Sequence, residues 1–203
     1  MGRLRRNRLE WCHDKIYMRA LIYAAGFGTR LGRLTKKVPK PMVDVCGKPC
    51  LEHIIDDLNR QGVYEIIVNL HYLPNKIMKH FGSKILYFYE SKILGEEKTL
   101  STLVSYFPTW GREYLVVKNG DTLTDVKLTD MIRMSSGASI KHMDFEKGVY
   151  AGTTILAPEY FINNKIVNSY YNKETFWVDI GTPEGLRKAR EIYSHKSQER
   201  QYN

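Results

Sequence analysis

Glycines and cations are concentrated in residues 20–49 of this 203-residue chain. Residues 20–24 are an apolar run typical of a buried strand, and Gly26 and Gly28 follow it directly. Glycine removes side chains where backbone amides must approach a ligand closely. Hydroxyl and cationic side chains come next: Thr29, Arg30, Arg33, Lys36, Lys37 and Lys40. This combination predicts a site that binds a polyphosphate.

Two other phosphate-binding patterns fit this segment poorly. The spacing of Gly26, Gly28 and Gly32 differs from G-x-G-x-x-G, the dinucleotide-binding pattern. A Walker A loop would close with Gly-Lys-Ser or Gly-Lys-Thr, whereas Gly32 is followed by Arg33 and Leu34, which excludes it. A dinucleotide-binding turn, as in an oxidoreductase, and an ordinary solvated loop remain as alternatives.

A second chemical feature is Asn119-Gly120-Asp121, which follows the apolar run of residues 114–117. A carboxylate at the carboxyl end of a strand is well placed to hold a hard divalent cation. The same three residues are also a common turn composition. A metal ligand and a simple turn are therefore both open for Asp121.

A third feature is Asp179, which lies inside an aromatic and apolar strand predicted over residues 176–180. Thr182 and Pro183 have the N-cap and first-position residue types of a helix that starts directly afterwards. That helix does not explain Asp179, because an unpaired carboxylate in such a strand is costly. A metal ion would offset this cost.

Four pieces of the sequence together resemble the signature of one enzyme family. The pieces AAGFGTRL, PKPM, GKP and WVDIGTPE resemble the sugar-1-phosphate nucleotidyltransferases, over about residues 18–193. The resemblance implies transfer of a nucleoside monophosphate from a nucleoside triphosphate to a sugar 1-phosphate, with release of pyrophosphate. It also implies Mg²⁺ as cofactor and a single-domain α/β fold, a Rossmann-like (GT-A-like) αβα sandwich of three layers.

The resemblance assigns a role to each matched residue. Arg30 would stabilise the leaving pyrophosphate, Lys40 would contact the phosphoryl group under attack, and Asp121 and Asp179 would share one Mg²⁺. The implied nucleotide-binding residues are Ala24, Ala25, Gly26, Phe27, Gly28, Thr29, Arg30, Lys40, Glu90 and Gly95. The implied sugar-phosphate-binding residues are Asn119, Glu146, Lys147 and Gly152. For Glu146 and Lys147, a hairpin turn with two solvated charges is an alternative.

The segment near the expected base pocket departs from the family pattern. Leu94 and Gly95 match it, but Glu96, Glu97 and Lys98 stand where the family has small residues. This departure leaves the base preference open. It also leaves two alternatives open: a catalytically silent homologue with a regulatory role, and a cytidylyltransferase for a phosphorylated alcohol such as phosphocholine.

Strands and helices alternate along the chain. Strands are predicted over residues 64–70, 84–90 and 114–117, and helices over 51–59, 74–81, 97–107 and from 183 onward. This order predicts a mainly parallel, mixed sheet that binds ligands at the carboxyl ends of its strands. Residues 137–157 are predicted to add short antiparallel strands around the sugar pocket.

Composition suits one compact domain, since 43% of the residues are hydrophobic. We expect a basic tail over residues 1–17 that need not be ordered, a nucleotidyltransferase domain over 18–195, and a C-terminal tail over 196–203. The net charge of +9 arises largely in that basic tail and in the phosphate loop, so no nucleic-acid partner is expected. The oligomeric state stays open, a homo-oligomer included.

The sequence has no apolar stretch of membrane-spanning length and no apolar signal-peptide core, so we expect a cytoplasmic protein without a membrane partner. The three cysteines have no paired metal-binding spacing, and we expect reduced thiols at Cys12, Cys46 and Cys50. The histidines are expected to pack or to face solvent rather than to catalyse: His53, His71, His80 and His142.

Overall fold

The structure is a computed structural model that describes residues 16–162 and 167–199. Most of the predicted basic tail, with Cys12, lies outside the described residues. Cys46 and Cys50 are free thiols, as expected. No helix in the described part of the chain is both long enough and apolar enough to cross a membrane.

The described residues form eleven strands and five α-helices. The strands are β1 (Met18–Tyr23), β2 (Asp44–Val45), β3 (Lys48–Pro49), β4 (Val63–Leu70), β5 (Leu86–Tyr89), β6 (Tyr114–Asn119), β7 (Thr122–Thr124), β8 (Ser139–Met143), β9 (Tyr150–Leu156), β10 (Val167–Tyr171) and β11 (Trp177–Asp179). The helices are α1 (Cys50–Arg60), α2 (Pro74–Phe81), α3 (Glu96–Tyr106), α4 (Leu128–Ser135) and α5 (Pro183–Glu199). Helix α5 extends four residues beyond the predicted domain end at residue 195.

Seven strands form a mixed central sheet in the order β5-β4-β1-β6-β9-β8-β10. Strand β1 is parallel to both neighbours, with Ala20 opposite Ile66 of β4 and Val116 of β6. The pairs β4–β5 and β8–β10 are also parallel, whereas β9 runs antiparallel to β6 and β8. The prediction of a mainly parallel sheet is confirmed, and residues 137–157 form the β8–β9 hairpin within this sheet.

The core lies on both faces of the sheet because the central strands are apolar throughout. Ala20 and Ile22 of β1 pack on one face in a cluster that includes side chains of α1, α4 and α5. Leu21, between them, points to the other face and packs with Leu103 of α3 and with Trp110. Successive side chains of a strand point to opposite faces, so an uninterrupted apolar run must be covered on both. The three layers are therefore helix, sheet and helix.

The strand order reverses at β1, since the chain continues to β4 on one side and returns as β6 on the other. A crevice forms at the carboxyl ends of the strands around such a reversal. The short antiparallel pair β7–β11 lies next to it and sets Asp179 opposite Thr122, the residue after Asp121. Long-range pairing thus brings the two predicted metal-binding carboxylates to the same crevice.

Candidate active site

A cleft of about 370 Å³ opens at the carboxyl ends of the central strands. Its wall includes residues of four separate segments: the loop after β1, the segment before α3, the end of β6 and the end of β11. The predicted site residues that line it are Ala24, Ala25, Gly26, Arg30, Lys40, Glu90, Gly95, Asn119, Asp121 and Asp179. The four candidate catalytic residues therefore share one cleft.

The loop after β1 presents backbone amides to this cleft. The amide of Ala24 donates to Oδ1 of Asn69 at 2.6 Å, which fixes the start of the loop. The amides of Ala25, Gly26 and Phe27 donate to no other described residue. A Cβ on Gly26 would meet no atom within 4 Å. Successive unpaired amides beside open space are suited to bind an anion, and their contact with a nucleotide phosphate stays a prediction.

Gly28 has a positioning role that the sequence pattern did not reveal. Its φ is +66°, a left-handed conformation that favours glycine. A Cβ at this position would lie 2.8 Å from Cβ of Lys40 and 3.0 Å from Cγ2 of Thr35. The hydroxyl of Thr35 also donates to the carbonyl of Gly28 at 2.8 Å. Gly28 therefore lets the lysine segment cross the loop closely.

Three of the predicted nucleotide-binding residues lie outside the cleft wall. Gly28, Phe27 and Thr29 do not contribute to the wall of the cleft. The ring of Phe27 is half exposed and packs edge-on against His71 and Tyr72. Their contact with a nucleotide stays a prediction.

Lys40 and Asp121 form an ion pair in the cleft. Both side chains are largely buried, with 18% and 11% of their surfaces exposed. Lys40 starts a short 3₁₀ turn, Lys40–Met42, in the basic loop, and Asp121 follows the last residues of β6. A buried cation at the strand end is available to anionic oxygens that enter the cleft.

Asp179 lies beside this ion pair. Its Oδ1 accepts a hydrogen bond from the amide of Gly181 at 2.5 Å, and its Oδ2 lies 3.9 Å from Nη2 of Arg30. Burial, and then the negative charge of Asp121, raises the pKa of Asp179 above its usual value. The amide of Gly181 and the charges of Lys40 and Arg30 act in the opposite direction. Two neighbouring carboxylates with this electrostatic cost are a suitable donor set for a hard cation.

A buried polar network supports the side of the cleft next to β4. Glu90 is 3% exposed, and its Oε1 accepts hydrogen bonds from Asn69 at 3.0 Å and from the hydroxyl of Thr99. Its Oε2 accepts from the amide of Leu94 at 3.2 Å. Glu90 thus ties the end of β4 to the segment before α3, whatever it contributes to nucleotide binding.

Sequence reasoning missed Asn69 and Thr99 as parts of this network. Asn69 carried a signal, because it is a polar residue near the end of the apolar strand β4. Thr99 carried no such signal, because the sequence does not show which residues a threonine in a helix contacts.

Gly95 has a φ of +85° at the start of α3, and a Cβ there would face open space. This opening lets a ligand approach the backbone.

The opposite side of the cleft, next to β6, presents Asn119. Its side-chain oxygen is buried and has no hydrogen-bond partner among the described residues. A buried acceptor without a partner is costly unless a ligand or water supplies a donor. Asn119 is therefore suited to a donor group of a bound molecule.

The other predicted sugar-phosphate contacts lie outside the cleft wall. Glu146 and Lys147 are exposed in the turn between β8 and β9, where Asp144 accepts a hydrogen bond from the amide of Lys147 at 2.5 Å. Gly152 has a φ of +75°, and a Cβ there would overlap Thr122. Gly152 therefore serves the packing of β9 against β7, and a ligand role for these three residues stays a prediction.

Comparison with known proteins agrees with this geometry. The family model described as nucleotidyl transferase matches residues 19–144. The chain is 36% identical over 123 residues to a mannose-1-phosphate guanyltransferase beta-B of Xenopus laevis, covering 57% of this chain and 34% of the relative. It is 34% identical over 119 residues to the D-glycero-alpha-D-manno-heptose 1-phosphate guanylyltransferase of Campylobacter jejuni, covering 56% and 52%.

A solved structure supports the fold over most of the chain. HddC from Yersinia pseudotuberculosis, complexed with GMP-PN, is 25% identical and superposes with a TM-score of 0.71. The alignment covers 88% of this chain and 100% of that one. In contrast, the matched region spans between a third and about half of the length of the two curated relatives above. The family model covers more than half of this chain, and the chain therefore belongs to the nucleotidyl transferase family.

Proposed function

We propose that the chain transfers a nucleoside monophosphate from a nucleoside triphosphate to a sugar 1-phosphate, with Mg²⁺ as cofactor and pyrophosphate as the second product. The observation that carries this proposal is that one cleft is lined by Ala25 and Gly26, which have unpaired amides, by Lys40, and by the pair Asp121 and Asp179. The proposed reaction requires one cleft that binds the nucleoside triphosphate and the sugar 1-phosphate side by side. The names of the relatives agree with this choice of substrates.

The chemical obstacle is the repulsion between two anions. A phosphate oxygen of the sugar phosphate must attack the α-phosphorus in line with the departing pyrophosphate. Lys40 would draw charge from the attacked phosphoryl group, and Arg30 would stabilise pyrophosphate at the exposed end of the cleft. Catalysis of this kind rests on positioning and on prearranged charges rather than on a covalent intermediate.

The residues present fit Mg²⁺. Asp121 and Asp179 supply two neighbouring carboxylates, and proteins commonly hold this ion with one or two carboxylates together with substrate phosphates and water. When bound, the ion would neutralise phosphate charge and orient the two substrates. The amide of Gly181 holds the carboxylate of Asp179, and the ion pair with Lys40 holds that of Asp121.

No histidine of the described residues lines the cleft. Each of the four predicted as packing or surface residues has a polar contact elsewhere: His53 with the carbonyl of Val45, His71 with that of Glu90, His80 with Glu52, and His142 with Thr175. The proposed reaction needs no side-chain nucleophile, which suits this arrangement.

The test is pyrophosphate release from a panel of nucleoside triphosphates and sugar 1-phosphates, with Mg²⁺ and with a chelator. We expect release for at least one pair, and only with the metal. Absence of release for every pair would favour a silent homologue, while release with phosphocholine alone would favour the phosphorylated-alcohol alternative.

The variant Asp179→Asn tests the metal assignment. It keeps the hydrogen-bonding shape but removes one carboxylate, so the Mg²⁺ concentration for half-maximal activity should rise by about tenfold or more. Asp130→Asn is the matched control, because the Asp130 side chain on α4 is about half exposed, lies outside the cleft wall and pairs with Arg133. An unchanged metal titration in Asp179→Asn would show that Asp179 is structural.

A further inference from the structure

Glu96 lines the cleft, and its carboxylate has no partner among the described residues. It is the first residue of α3, it is exposed, and it lines the cleft wall. Its backbone carbonyl accepts a hydrogen bond from the hydroxyl of Tyr23 at 2.9 Å, which fixes the start of the helix. Its carboxylate forms no hydrogen bond or ion pair with the described residues. The position is one where the family pattern led us to expect a small residue.

The start of α3 lies over the end of β1, beside the end of β6. Tyr23, whose hydroxyl bonds the carbonyl of Glu96, ends β1 and lies opposite Asn119 of β6 in the sheet. Glu96, Asn119 and Asp121 line the same cleft. The negative charge of Glu96 also contributes, after burial, to the raised pKa of Tyr150, which begins β9 on the far side of β6.

This side of the cleft offers acceptors. The carboxylate of Glu96 has no proton to donate, and the buried oxygen of Asn119 lacks a donor partner. A phosphate group would be repelled by Glu96, whereas a hydroxyl group would donate to it. Lys40 and Arg30 supply the positive charge elsewhere in the same cleft. A bound sugar phosphate would therefore direct its phosphate toward the cations and its ring hydroxyls toward Glu96 and Asn119.

We propose that Glu96 accepts a hydrogen bond from a ring hydroxyl of the sugar 1-phosphate and sets the preference among sugars. This inference rests on the proposed function. It also changes the interpretation of the departure at residues 96–98: Glu96 belongs to the sugar half of the cleft rather than to the base pocket. Glu97 lies in the same helical turn but does not line the cleft, so it has no part in this contact.

Steady-state kinetics of Glu96→Gln and Glu97→Gln test the proposal. We use the pair of substrates with the fastest pyrophosphate release. A hydrogen bond to a charged group is strong, so Glu96→Gln should raise the KM for the sugar 1-phosphate by about tenfold or more. The KM for the nucleoside triphosphate should change by less than about twofold. Glu97→Gln, also exposed in the first turn of α3, should match the wild type in both constants.

Two outcomes of these kinetics would overturn the proposal. One is an increase in the KM for the triphosphate with no change for the sugar 1-phosphate, which would place Glu96 against the nucleotide. The other is equal behaviour of Glu96→Gln and Glu97→Gln. A substrate preference for phosphocholine over every sugar 1-phosphate would also contradict a hydroxyl contact, because its quaternary ammonium has no proton to donate.

Binding measurements keep the proposal separate from the proposed function. If no pair of substrates releases pyrophosphate, thermal shifts with mannose 1-phosphate and glucose 1-phosphate, each with Mg²⁺, report binding directly. The wild type and Glu97→Gln should be stabilised by at least one of them, and Glu96→Gln should lose that stabilisation. Equal shifts in all three proteins, or no shift in any, would overturn the assignment of Glu96.

Discussion

At the scale of single residues, Lys40 links the loop after β1 to Asp121 at the end of β6. It reaches Asp121 from a loop that crosses Gly28, where a Cβ would overlap its own. The sequence predicted both the lysine and the glycine as ligands of the nucleotide. The structure gives the glycine a further task, the close crossing of the lysine segment, which motif spacing cannot reveal because it depends on the path of the chain.

Lys40→Ala tests the charge that this residue supplies. The substitution removes a cation directed at the reacting phosphates, so turnover should fall by about 100-fold or more. The melting temperature should fall as well, because the largely buried carboxylate of Asp121 loses its ion-pair partner. Lys37→Ala is the control, since Lys37 is exposed in the same loop and does not line the cleft. Near-normal turnover in Lys40→Ala, measured as pyrophosphate release, would remove its assigned role.

At the scale of elements, the sequence predicted the central strands and the helices α1, α2, α3 and α5, but it did not predict α4 or all of the strand partners. The apolar runs of β1, β4 and β6 indicate burial on both faces, and this is observed. Strand β11 lies within the strand predicted over residues 176–180, but its partner β7 was not predicted, because three residues carry too little periodicity. The β8–β9 hairpin was recognised as strands, yet periodicity could not show that it joins the main sheet.

Strand β6 also contains a buried lysine that has no part in the proposed reaction. Lys118 is 3% exposed, and its amine donates a hydrogen bond to the hydroxyl of Thr153 on β9 at 2.8 Å. Burial lowers the pKa of Lys118 to about 8. A charged amine at neutral pH in this position is therefore a cost to the folded state.

Lys118→Met should stabilise the protein at pH 7 by about 1–2 kcal/mol, because the desolvation cost exceeds the hydrogen bond lost to Thr153. The unfolded chain binds more protons than the folded one between pH 8 and about 10.5, so wild-type stability rises across that window. The advantage of the variant should therefore shrink at pH 10. Urea unfolding at both pH values measures this.

Lys141→Met on β8 is the control for Lys118→Met, because Lys141 is exposed in the neighbouring part of the sheet. It should change stability by less than about 0.5 kcal/mol at either pH. A Lys118→Met protein that is less stable than the wild type at pH 7 would show that the amine stabilises this strand.

At the scale of the molecule, composition and the alternation of elements were enough for the fold class. They were not enough for the strand order, since an apolar pattern reports burial and not the neighbour that provides it. The same limit applies to the site. Asp121 and Asp179 were paired by resemblance to a family, and the structure adds the physical reason, a short β-pair beside the crevice. The sequence alone could not show that Glu96 lines the cleft, because this depends on where helix α3 packs.

A second buried titratable group, His142 on β8, affects the free energy of unfolding of the whole protein. This residue is 1% exposed; its Nε2 contacts the hydroxyl of Thr175, and its Nδ1 has no hydrogen-bond partner among the described residues. Burial and the charge of Lys118 lower the pKa of His142 to about 4, against smaller opposing effects of Asp125 and Asp144. The neutral imidazole is therefore the form that the core accepts.

Acid should destabilise the protein through His142. Between pH 6.5 and about 4 the unfolded imidazole binds a proton that the folded one excludes, so stability falls as pH falls through this window, by about 2–3 kcal/mol at most. His142→Phe removes this titration and should flatten the pH dependence measured by urea unfolding. His80→Gln, at an exposed histidine, should keep the wild-type slope. Parallel slopes for His142→Phe and the wild type would mean that carboxylates, and not this buried ring, govern acid unfolding.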